Sequence, residues 1–287
     1  KQDFIKKYPN CITTDPKDAK IIWYLASWNT RHIPNNLTVL DWFKILTNKK
    51  VIFTMHHIDM DKFKLGTYDK QFKFMMKYGN KYHTICQKTH ESLVSLNHNI
   101  PSYKEYLWYD PDVFFPIEDN IPLKNKYNIS KSAYLIGSFQ KDTEGNKESG
   151  IQPKLSKGPD LFIKIIRHMY ITNKNIEIIL TGLRREYIIE QLKKLNIKYY
   201  YFNMISLKEL NELYNCLDLY IISSRYEGGP RSVFEAGATK TPIISTKVGI
   251  ADELIARESL FDMNNIITYK NAIPNVAHLS RQIEKLT

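Results

Sequence analysis

Two glutamates and a glycine-containing turn stand close together in the 287-residue chain. Seven residues separate Glu227 from Glu235, and Gly228, Gly229 and Pro230 directly follow the first glutamate. A carboxylate can hold the hydroxyls of a sugar or a ribose through charge-assisted hydrogen bonds. Backbone amides at the start of a helix favour an anion, most naturally a phosphate. These residue types predict two hydroxyl acceptors on either side of a bound phosphate, and an ordinary solvated turn is the alternative.

The stretch from Leu217 to Gly249 supplies the elements that would place these residues. A continuous apolar run at 217–222 predicts a buried strand of a parallel sheet. Pro230 suits the first turn of a helix, because its missing N–H would have no partner there, and the helix is expected over 231–239. A second strand is expected at 242–246. In such a unit, ligands bind beyond the carboxyl ends of the strands, which is where the EGGP turn falls.

Several features of this stretch agree in order and spacing with one family. They are the two glutamates, the glycines after Glu227, the Glu235-Ala236 pair and the segment TPIISTKVG that ends at Gly249. The stretch resembles the nucleotide-sugar site of the retaining GT-B glycosyltransferases of family four, the glycosyl transferases group 1. The resemblance covers most of residues 20–260 and is stronger in the second half of the chain than in the first.

The resemblance implies an α/β fold of the GT-B type, with two Rossmann-like domains facing across a cleft. It implies an enzyme that moves a sugar from a nucleotide-diphosphate-sugar donor to a hydroxyl of a glycan, a lipid-linked saccharide or another acceptor. The transfer would retain the anomeric configuration. No cofactor and no metal ion are expected, because backbone amides and a lysine would stabilise the diphosphate as it leaves.

The expected organisation is an N-terminal acceptor-side domain over residues 1–120 and a nucleotide-sugar domain over 130–275. Residues 276–287 form a helix that members of the family often send back to the first domain. The family begins with a strand and a glycine-rich loop, and nothing before the first predicted strand supplies them. Either the N-terminus is truncated, which fits a first residue of Lys1 rather than Met, or the first domain is reduced and residues 27–31 take the role of that loop.

Residues 106–116 resemble the segment that joins the two domains in the family. An aspartate and a phenylalanine four residues later stand at Asp110 and Phe114. The Asn-Gly pair that usually precedes the aspartate is replaced by Trp108-Tyr109, so only the location is carried over. Residues 117–131 are polar and contain a proline, and they predict a linker.

A lysine–glycine pair after a predicted strand and turn supplies the main positive charge of the site. Lys157 matches the family lysine that, with the turn at residues 137–139, cradles the pyrophosphate of the donor. The usual arginine before this lysine is missing, and Gln140 and Lys141 stand in the turn instead. A second cationic contact with the diphosphate is therefore left open.

His56 follows a predicted strand over residues 50–55 and matches the family histidine that approaches the donor sugar. It would donate to a sugar hydroxyl or to the developing charge. Two alternatives remain: a histidine that only packs at the end of the strand, and a metal site shared with His57, Asp59 and Asp61. Adjacent side chains at the end of an extended strand point apart, which argues against the joint metal site.

Each implied site residue has an expected role. Glu235 would grip the ribose diol, Glu227 would accept from a hydroxyl of the donor sugar, and main-chain groups near residues 202–205 would contact the base. The expected catalytic residues are Glu227, His56 and Lys157. The expected donor-binding residues are Gly137, Ser138, Phe139, Gln140, Lys157, Asn203, Met204, Glu227, Gly228, Gly229, Pro230, Arg231, Ser232 and Glu235. No residue is expected to bind a metal.

A basic segment over residues 62–81, from Lys62 to Lys81, alternates lysines with aromatic residues, and the chain carries a formal net charge of +11. From Tyr68 to Tyr78 the pattern predicts an amphipathic helix with a basic face. Such a helix can lie on an anionic membrane surface, or it can be a surface helix whose rings enter the core. Nucleic acid, which such a pattern also suits, is not expected as a partner. A genome biased towards lysine codons would equally explain the charge.

The composition is that of a soluble globular protein, with 43% apolar and 25% charged residues. Three distant cysteines give neither a disulfide framework nor a zinc motif, so a reducing, cytoplasmic location is expected. No apolar run approaches the roughly 20 residues of a transmembrane helix, so membrane association would be peripheral. Three other functions stay open: a DNA-modifying glucosyltransferase, a nucleotide-sugar epimerase without transfer, and a binding subunit without catalysis.

Overall fold

The computed structural model describes residues 9–13, 15–26, 33–34, 36–107, 109–145 and 150–286, without the side chains of residues 61 and 62. The chain divides into two compact units, Lys1–Tyr106 and Leu107–Thr287. Each unit contains one parallel β-sheet, so the expected α/β class is confirmed. Within the described part of the chain, every helix is too short or too polar to span a bilayer.

The first unit is a four-stranded sheet in the order β1-β2-β3-β4, with helices between the strands. All neighbouring strands run parallel. Its elements are β1 (Ile21–Tyr24), α1 (Val39–Asn48), β2 (Lys50–Met55), α2 (Met60–Lys64), α3 (Asp69–Tyr78), β3 (Lys81–Thr84), α4 (Gln87–Leu96) and β4 (Ser102–Lys104). A short 3-10 turn, Pro9–Cys11, precedes β1.

The basic helix α3 turns its aromatic side chains into the first unit. The ring of Phe74 lies with its centroid 6.2 Å from those of both Tyr24 and Phe53, which belong to the core of this unit. Phe74 also meets Tyr78 at 4.9 Å. The lysines at positions 70, 73 and 77 stay exposed. The rings that a membrane-inserting or base-stacking surface would need are therefore partly buried against the core of the unit.

A polar chain of contacts crosses the first sheet and includes a histidine that the sequence did not single out. The indole N–H of Trp23 donates to Thr54 Oγ1 at 2.9 Å, and Thr54 Oγ1 lies 3.1 Å from His83 Nδ1. His83 Nε2 lies 2.8 Å from the carbonyl oxygen of Glu105. Burial lowers the pKa of His83. This histidine is a satisfied structural residue, since both ring nitrogens have partners inside the unit.

The second unit is a six-stranded sheet in the order β10-β9-β8-β5-β6-β7. Its strands and helices are β5 (Tyr134–Ser138), β6 (Ile176–Thr181), β7 (Tyr199–Phe202), β8 (Leu219–Ile222), β9 (Ile243–Thr246), β10 (Leu260–Phe261), α5 (Ile121–Lys126), α6 (Pro159–Thr172), α7 (Glu186–Lys194), α8 (Leu207–Asn215), α9 (Ser232–Ala238), α10 (Ala251–Leu254) and α11 (Val276–Glu284). The chain starts at β5, adds β6 and β7 on one side, and then returns to add β8 to β10 on the other. The strand order therefore reverses between β5 and β8.

The expected start of α8 is confirmed by its capping box. Ser206 Oγ accepts from the Glu209 amide at 3.2 Å, and Glu209 Oε2 accepts from the Ser206 amide at 2.8 Å. These two bonds satisfy amides that have no partner within the helix. The cap fixes the helix register, and this places Tyr214 on its buried side.

The second compact unit includes the chain from residue 107 onwards, and so contains the segment that the sequence predicts to join the two domains. Tyr109 stacks on Phe234 with centroids 6.2 Å apart, and Phe114 packs against Tyr214 at 6.4 Å. The amide of Ile117 donates to a side-chain oxygen of α8, Asn215 Oδ1, at 2.7 Å. The predicted linker also contains α5. Aromatic burial and side-chain amides tie this segment to the second unit.

The last helix, α11, is anchored to the second unit through α9. Ser280 Oγ donates to the carbonyl oxygen of Gly237 at 2.8 Å. Leu279 and Ile283, on the same side of α11, are buried. Gly237 belongs to α9, so the end of the chain helps to fix the helix that carries Glu235.

A buried ion pair joins the carboxyl ends of β5 and β6. Arg185 Nε lies 2.6 Å from Asp142 Oδ2, and the two side chains are 0% and 2% exposed. The same guanidinium donates to the carbonyl oxygen of Thr181 at 3.1 Å and to Ser138 Oγ at 3.2 Å. Burial raises the pKa of Asp142. The pair thus holds the turn after β5 against the end of β6.

Replacing Arg185 with Met should lower the free energy of unfolding by about 3–5 kcal/mol, because it leaves a buried carboxylate without its cation. Chemical denaturation at neutral pH would measure the loss. The matched control is Lys194→Met, which breaks the exposed Lys194–Glu190 pair on α7. An exposed pair of this kind contributes about 0.5 kcal/mol or less. Similar small losses in both variants would contradict a supporting role for Arg185.

Candidate functional site

The candidate site lies where the loops after β5 and β8 meet, at the point where the strand order reverses. Open α/β sheets bind ligands at such a switch point, beyond the carboxyl ends of the strands. Two side-chain hydrogen bonds join the loops: Ser224 Oγ donates to Gln140 Oε1 at 3.1 Å, and Gln140 Nε2 donates to the carbonyl oxygen of Lys157 at 2.9 Å. Three separate segments of the chain therefore form one surface.

Gly158 brings the loop before α6 directly onto the end of β8. Its φ of 61° is left-handed, and a Cβ there would overlap the carbonyl oxygen of Ser223. Ser223 Oγ donates to the carbonyl oxygen of Gly158 at 2.8 Å. Only glycine fits both the backbone angle and the close approach. The preceding residue, Lys157, is thereby held at the edge of the sheet.

Lys157 and Glu227 form an ion pair in the middle of this surface. The ammonium contacts Glu227 Oε1, and the two side chains are 25% and 14% exposed. Both groups are partly open to solvent, so a ligand can reach them. A cation and a carboxylate side by side can hold an anion and a hydroxyl of the same molecule.

The EGGP turn is held in place from both sides. The Arg225 guanidinium donates to the two carboxylate oxygens of Asp160 at 2.8 and 2.7 Å. The Ile250 amide donates to the carbonyl oxygen of Gly228 at 2.9 Å. Gly249 has a φ of 47°, and a Cβ on it would overlap that same carbonyl oxygen. A rigid turn of this kind presents its peptide groups in a fixed direction.

The turn keeps backbone donors available for a ligand. Among the residues that the structure describes, none accepts a hydrogen bond from the amides of Gly228 or Gly229. Helix α9 begins at Ser232, one residue later than predicted. These amides are the kind of donors that bind phosphate groups.

Glu235 lies in the first turn of α9 and is half-buried. Its Oε2 accepts a hydrogen bond from the hydroxyl of Tyr214 at 2.8 Å. Burial raises the pKa of Glu235, while the bond from Tyr214 and the charge of Arg231 act in the opposite direction. This carboxylate suits a neutral hydrogen-bond donor such as a hydroxyl, because a buried charge needs donors around it.

The structure brings most of the predicted donor-binding residues together, and it uses some of them differently. The segments 137–140 and 227–232, with Lys157 and Glu235, share the edge of the second sheet. Gln140, predicted to face the donor, has its side-chain amide committed to Lys157 and Ser224. The ammonium of Lys141 bonds the carbonyl oxygen of Gly145 at 3.1 Å instead of pointing to the site.

Asn203 and Met204 follow β7, at the outer edge of the second sheet. Asn203 Oδ1 accepts from the hydroxyl of Tyr201 at 3.2 Å, and Met204 is 72% exposed. His56 belongs to the first unit, where its Nε2 lies 2.7 Å from the carbonyl oxygen of Leu25. The expected role of residues 27–31 falls outside the described residues.

Two residues that support the site carried no motif in the sequence. Arg185 reaches the turn after β5, and Tyr214 bonds Glu235. The helical register set by Ser206 places Tyr214 on the buried side of α8, and this was the one available signal. Among the described residues, no group of three or more His, Cys, Asp or Glu side chains is arranged to hold a metal ion.

The parallel sheets and the loops at the switch point define an α/β protein with a candidate site for an anionic ligand. Residues 152–287 match the model of the family Glycosyl transferases group 1. This match confirms the resemblance to the glycosyl transferases group 1 that the sequence indicates.

Two curated relatives are similar over most of the chain. A probable sucrose-phosphate synthase of Thermosipho melanesiensis is 29% identical over 260 residues, which are 86% of this chain and 57% of that protein. The uncharacterized glycosyltransferase MJ1059 of Methanocaldococcus jannaschii is 25% identical over 213 residues, which are 71% of this chain and 50% of that protein. The chain thus spans about half the length of the curated relatives it matches.

The fold has a solved counterpart in Anabaena Alr3699/HepE, determined in complex with UDP-glucose. The two structures superpose with a TM-score of 0.70 at 14% identity, over 93% of this chain and 73% of the other. At this identity the likeness shows the fold alone. It confirms a GT-B type α/β fold with two Rossmann-like sheets.

Glu235→Gln should make the ligand-free protein more stable at neutral pH. Burial raises the pKa of Glu235 in the folded protein, so ionising this group costs folding free energy. The cost is absent below the ordinary glutamate pKa, grows as the pH rises, and is complete above the raised pKa. The Tm gain should therefore be about 2–4 °C near pH 7.5 and fall to about zero near pH 4. Thermal unfolding across this pH range would measure it.

The control for this pH series is Glu258→Gln. A side-chain hydrogen bond from Asn275 lowers the pKa of Glu258, so its ionised form stabilises the fold. That variant should gain nothing at neutral pH. A Glu235→Gln protein that is less stable than the wild type near neutral pH would contradict the costly environment assigned to Glu235.

Proposed function

We propose that the protein is a glycosyltransferase that takes a sugar from a nucleotide-diphosphate-sugar donor, with a UDP-sugar as the first candidate. The observation that carries this proposal is the Lys157–Glu227 pair at the switch point of the second sheet, next to Glu235 and the free amides of the EGGP turn. The site offers a cation, backbone donors and two carboxylates, which match a diphosphate between two groups that bear hydroxyls. The Anabaena protein of similar fold was solved with UDP-glucose.

The two carboxylates take different parts of the donor. Glu235 accepts hydrogen bonds from the ribose diol, and Glu227 accepts from a hydroxyl of the transferred sugar. Lys157 and the amides at residues 228–231 bind the diphosphate. Donor binding exchanges partners: Lys157 turns from Glu227 to a phosphate oxygen, and the sugar hydroxyl replaces the ammonium on Glu227.

The reaction is a substitution at the anomeric carbon with retention. The oxygen of the acceptor hydroxyl forms a bond to that carbon on the face from which the nucleoside diphosphate departs. The carbon–oxygen bond to the diphosphate breaks, and the acceptor proton passes to the departing phosphate oxygen. Lys157 and the turn amides stabilise the negative charge that builds on this oxygen. These groups perform the role without a metal ion, so chelators should leave the rate unchanged.

The acceptor in this proposal is a hydroxyl of a glycan or of a lipid-linked saccharide. The exposed lysines of α3 are the group that would meet an anionic membrane surface. Because the aromatic rings of α3 pack against the core of the first unit, such contact would be mainly electrostatic and sensitive to salt.

The nucleotide class can be tested by thermal shift against UDP-, GDP-, ADP- and dTDP-sugars. A UDP-sugar should stabilise the protein most, because a ligand that binds the native state raises its Tm. Stabilisation by none of the four would contradict the proposal. Turnover of the donor to its epimer, without transfer to any acceptor, would favour the epimerase alternative. Salt-dependent binding of duplex DNA, followed by glucosylation of that DNA, would favour the DNA-modifying alternative.

Glu227→Ala should reduce donor turnover by about 10²–10³-fold, measured as UDP release from a UDP-sugar, with water or a glycan mixture as acceptor. The affinity for UDP itself should be unchanged or slightly higher. UDP lacks the sugar that Glu227 binds, and the variant releases Lys157 from its ion pair so that it can bind the diphosphate. Glu190→Ala, which breaks the exposed pair on α7, is the matched control and should keep full turnover. A collapse of UDP affinity with normal turnover per bound donor would overturn the role of Glu227.

A further inference from the structure

We propose that Tyr214 is a positioning residue through which the site selects ribonucleotides over 2′-deoxyribonucleotides, because it orients Glu235 towards the ribose diol. This inference rests on the proposed function, since it concerns the same nucleotide site. It adds a residue of α8 that no motif of the resemblance contains.

The bond between Tyr214 and Glu235 fixes one side of the carboxylate. The hydroxyl of Tyr214 donates to Glu235 Oε2 at 2.8 Å, and Tyr214 is fully buried. In the part of the chain that the structure describes, no group donates to Glu235 Oε1. A carboxylate offers about four lone-pair directions, so most of its accepting capacity remains for a ligand.

Tyr214 itself is held rigidly. Its ring packs edge-to-face on Phe139, with centroids 4.8 Å apart, and against Tyr220 at 5.3 Å. On another side it meets Phe114 at 6.4 Å. Its carbonyl oxygen accepts from Thr241 Oγ1 at 3.0 Å. The ring cannot follow a moving carboxylate, so the carboxylate takes the orientation that the ring sets.

The same bond favours the ionised, hydrogen-bond-accepting form of Glu235. Burial raises the pKa of Glu235, and the donated hydrogen bond of Tyr214 acts against this rise, as does the charge of Arg231. Burial also raises the pKa of Tyr214 well above its ordinary value, so its hydroxyl stays a donor at neutral pH. Tyr220, the other titratable group against Tyr214, has a raised pKa for the same reason.

An oriented acceptor discriminates because a ligand without the matching hydroxyl leaves it unsatisfied. Sites built to bond a hydroxyl reject the analogue that lacks it far more strongly than apolar pockets reject a small change in size. A 2′-deoxyribonucleotide offers Glu235 one donor fewer than a ribonucleotide. The selectivity should therefore depend on the hydroxyl of Tyr214, although that hydroxyl does not touch the ligand.

The test compares the affinities of UDP and 2′-deoxy-UDP by calorimetry in the wild type and in Tyr214→Phe. The wild type should prefer UDP by about tenfold or more. Tyr214→Phe should weaken UDP binding by about 5–10-fold and change 2′-deoxy-UDP binding by less than about twofold, so the preference nearly disappears. If another base gives the largest thermal shift, the ribo and 2′-deoxy diphosphates of that base replace the uridine pair.

Two further variants separate positioning from a general structural effect. Tyr200→Phe is the matched control, because Tyr200 donates to Glu177 Oε2 at 2.7 Å in a similar pair on β7 and β6, and it should leave both affinities unchanged. In a Glu235→Gln background, adding Tyr214→Phe should cause no further loss of UDP affinity, because residues that act through one group are not additive.

The outcomes distinguish the positioning role of Tyr214, the selectivity for ribonucleotides and the proposed function. An unchanged preference for UDP in Tyr214→Phe, or an equal loss for both nucleotides, overturns the positioning role and leaves the proposed function standing. A wild type that binds 2′-deoxy-UDP as well as UDP, or that is stabilised most by a dTDP-sugar, overturns the selectivity alone. A wild type that binds no nucleoside diphosphate or sugar nucleotide overturns both.

Discussion

The ion pair between Lys157 and Glu227 is the contact on which the rest of the candidate site depends. It joins the loop before α6 to the loop after β8, and it forms because Gly158 and Gly249 let backbone segments approach where any side chain would collide. The lysine offsets a carboxylate that would repel a diphosphate. An isolated anion could pair only with Lys157 and would leave Glu227 without a hydrogen-bond donor. A ligand with both a phosphate and a hydroxyl satisfies both partners.

An aromatic cluster formed by Phe139, Tyr214 and Tyr220 links the turn after β5 to the helix that carries Glu235. Phe139 stands in the turn after β5, and its amide donates to the hydroxyl of Tyr220 at 3.2 Å. Its ring packs on Tyr214, which bonds Glu235 on α9. Packed rings adjust less than flexible charged side chains do, because interiors are close-packed. The turn proposed to bind phosphate and the carboxylate proposed to bind ribose are thus positioned relative to each other by the core.

The sequence predicted the elements that rest on local patterns and missed the contacts between distant residues. The strand at 50–55 has the predicted bounds, and the capping box at Ser206 is present. The segment near Tyr109 belongs to the second unit because its rings pack against helices far along the chain. Gln140 was expected at the donor, but its partner Ser224 stands 84 residues away. No spacing rule reveals such a bond.

The charges around the site differ in how they are satisfied, and this difference argues for what Glu235 binds. Burial works to raise the pKa of Asp160, but the Arg225 guanidinium outweighs it and the pKa is lowered. Glu227 has Lys157. Glu235 has only the neutral Tyr214 in hydrogen-bond contact among the described residues, and its pKa is raised. A carboxylate without a directly bonded cation, next to the proposed anion site, costs stability. It gains most from neutral hydroxyl donors, because they satisfy its charge without competing with the lysine for the phosphate.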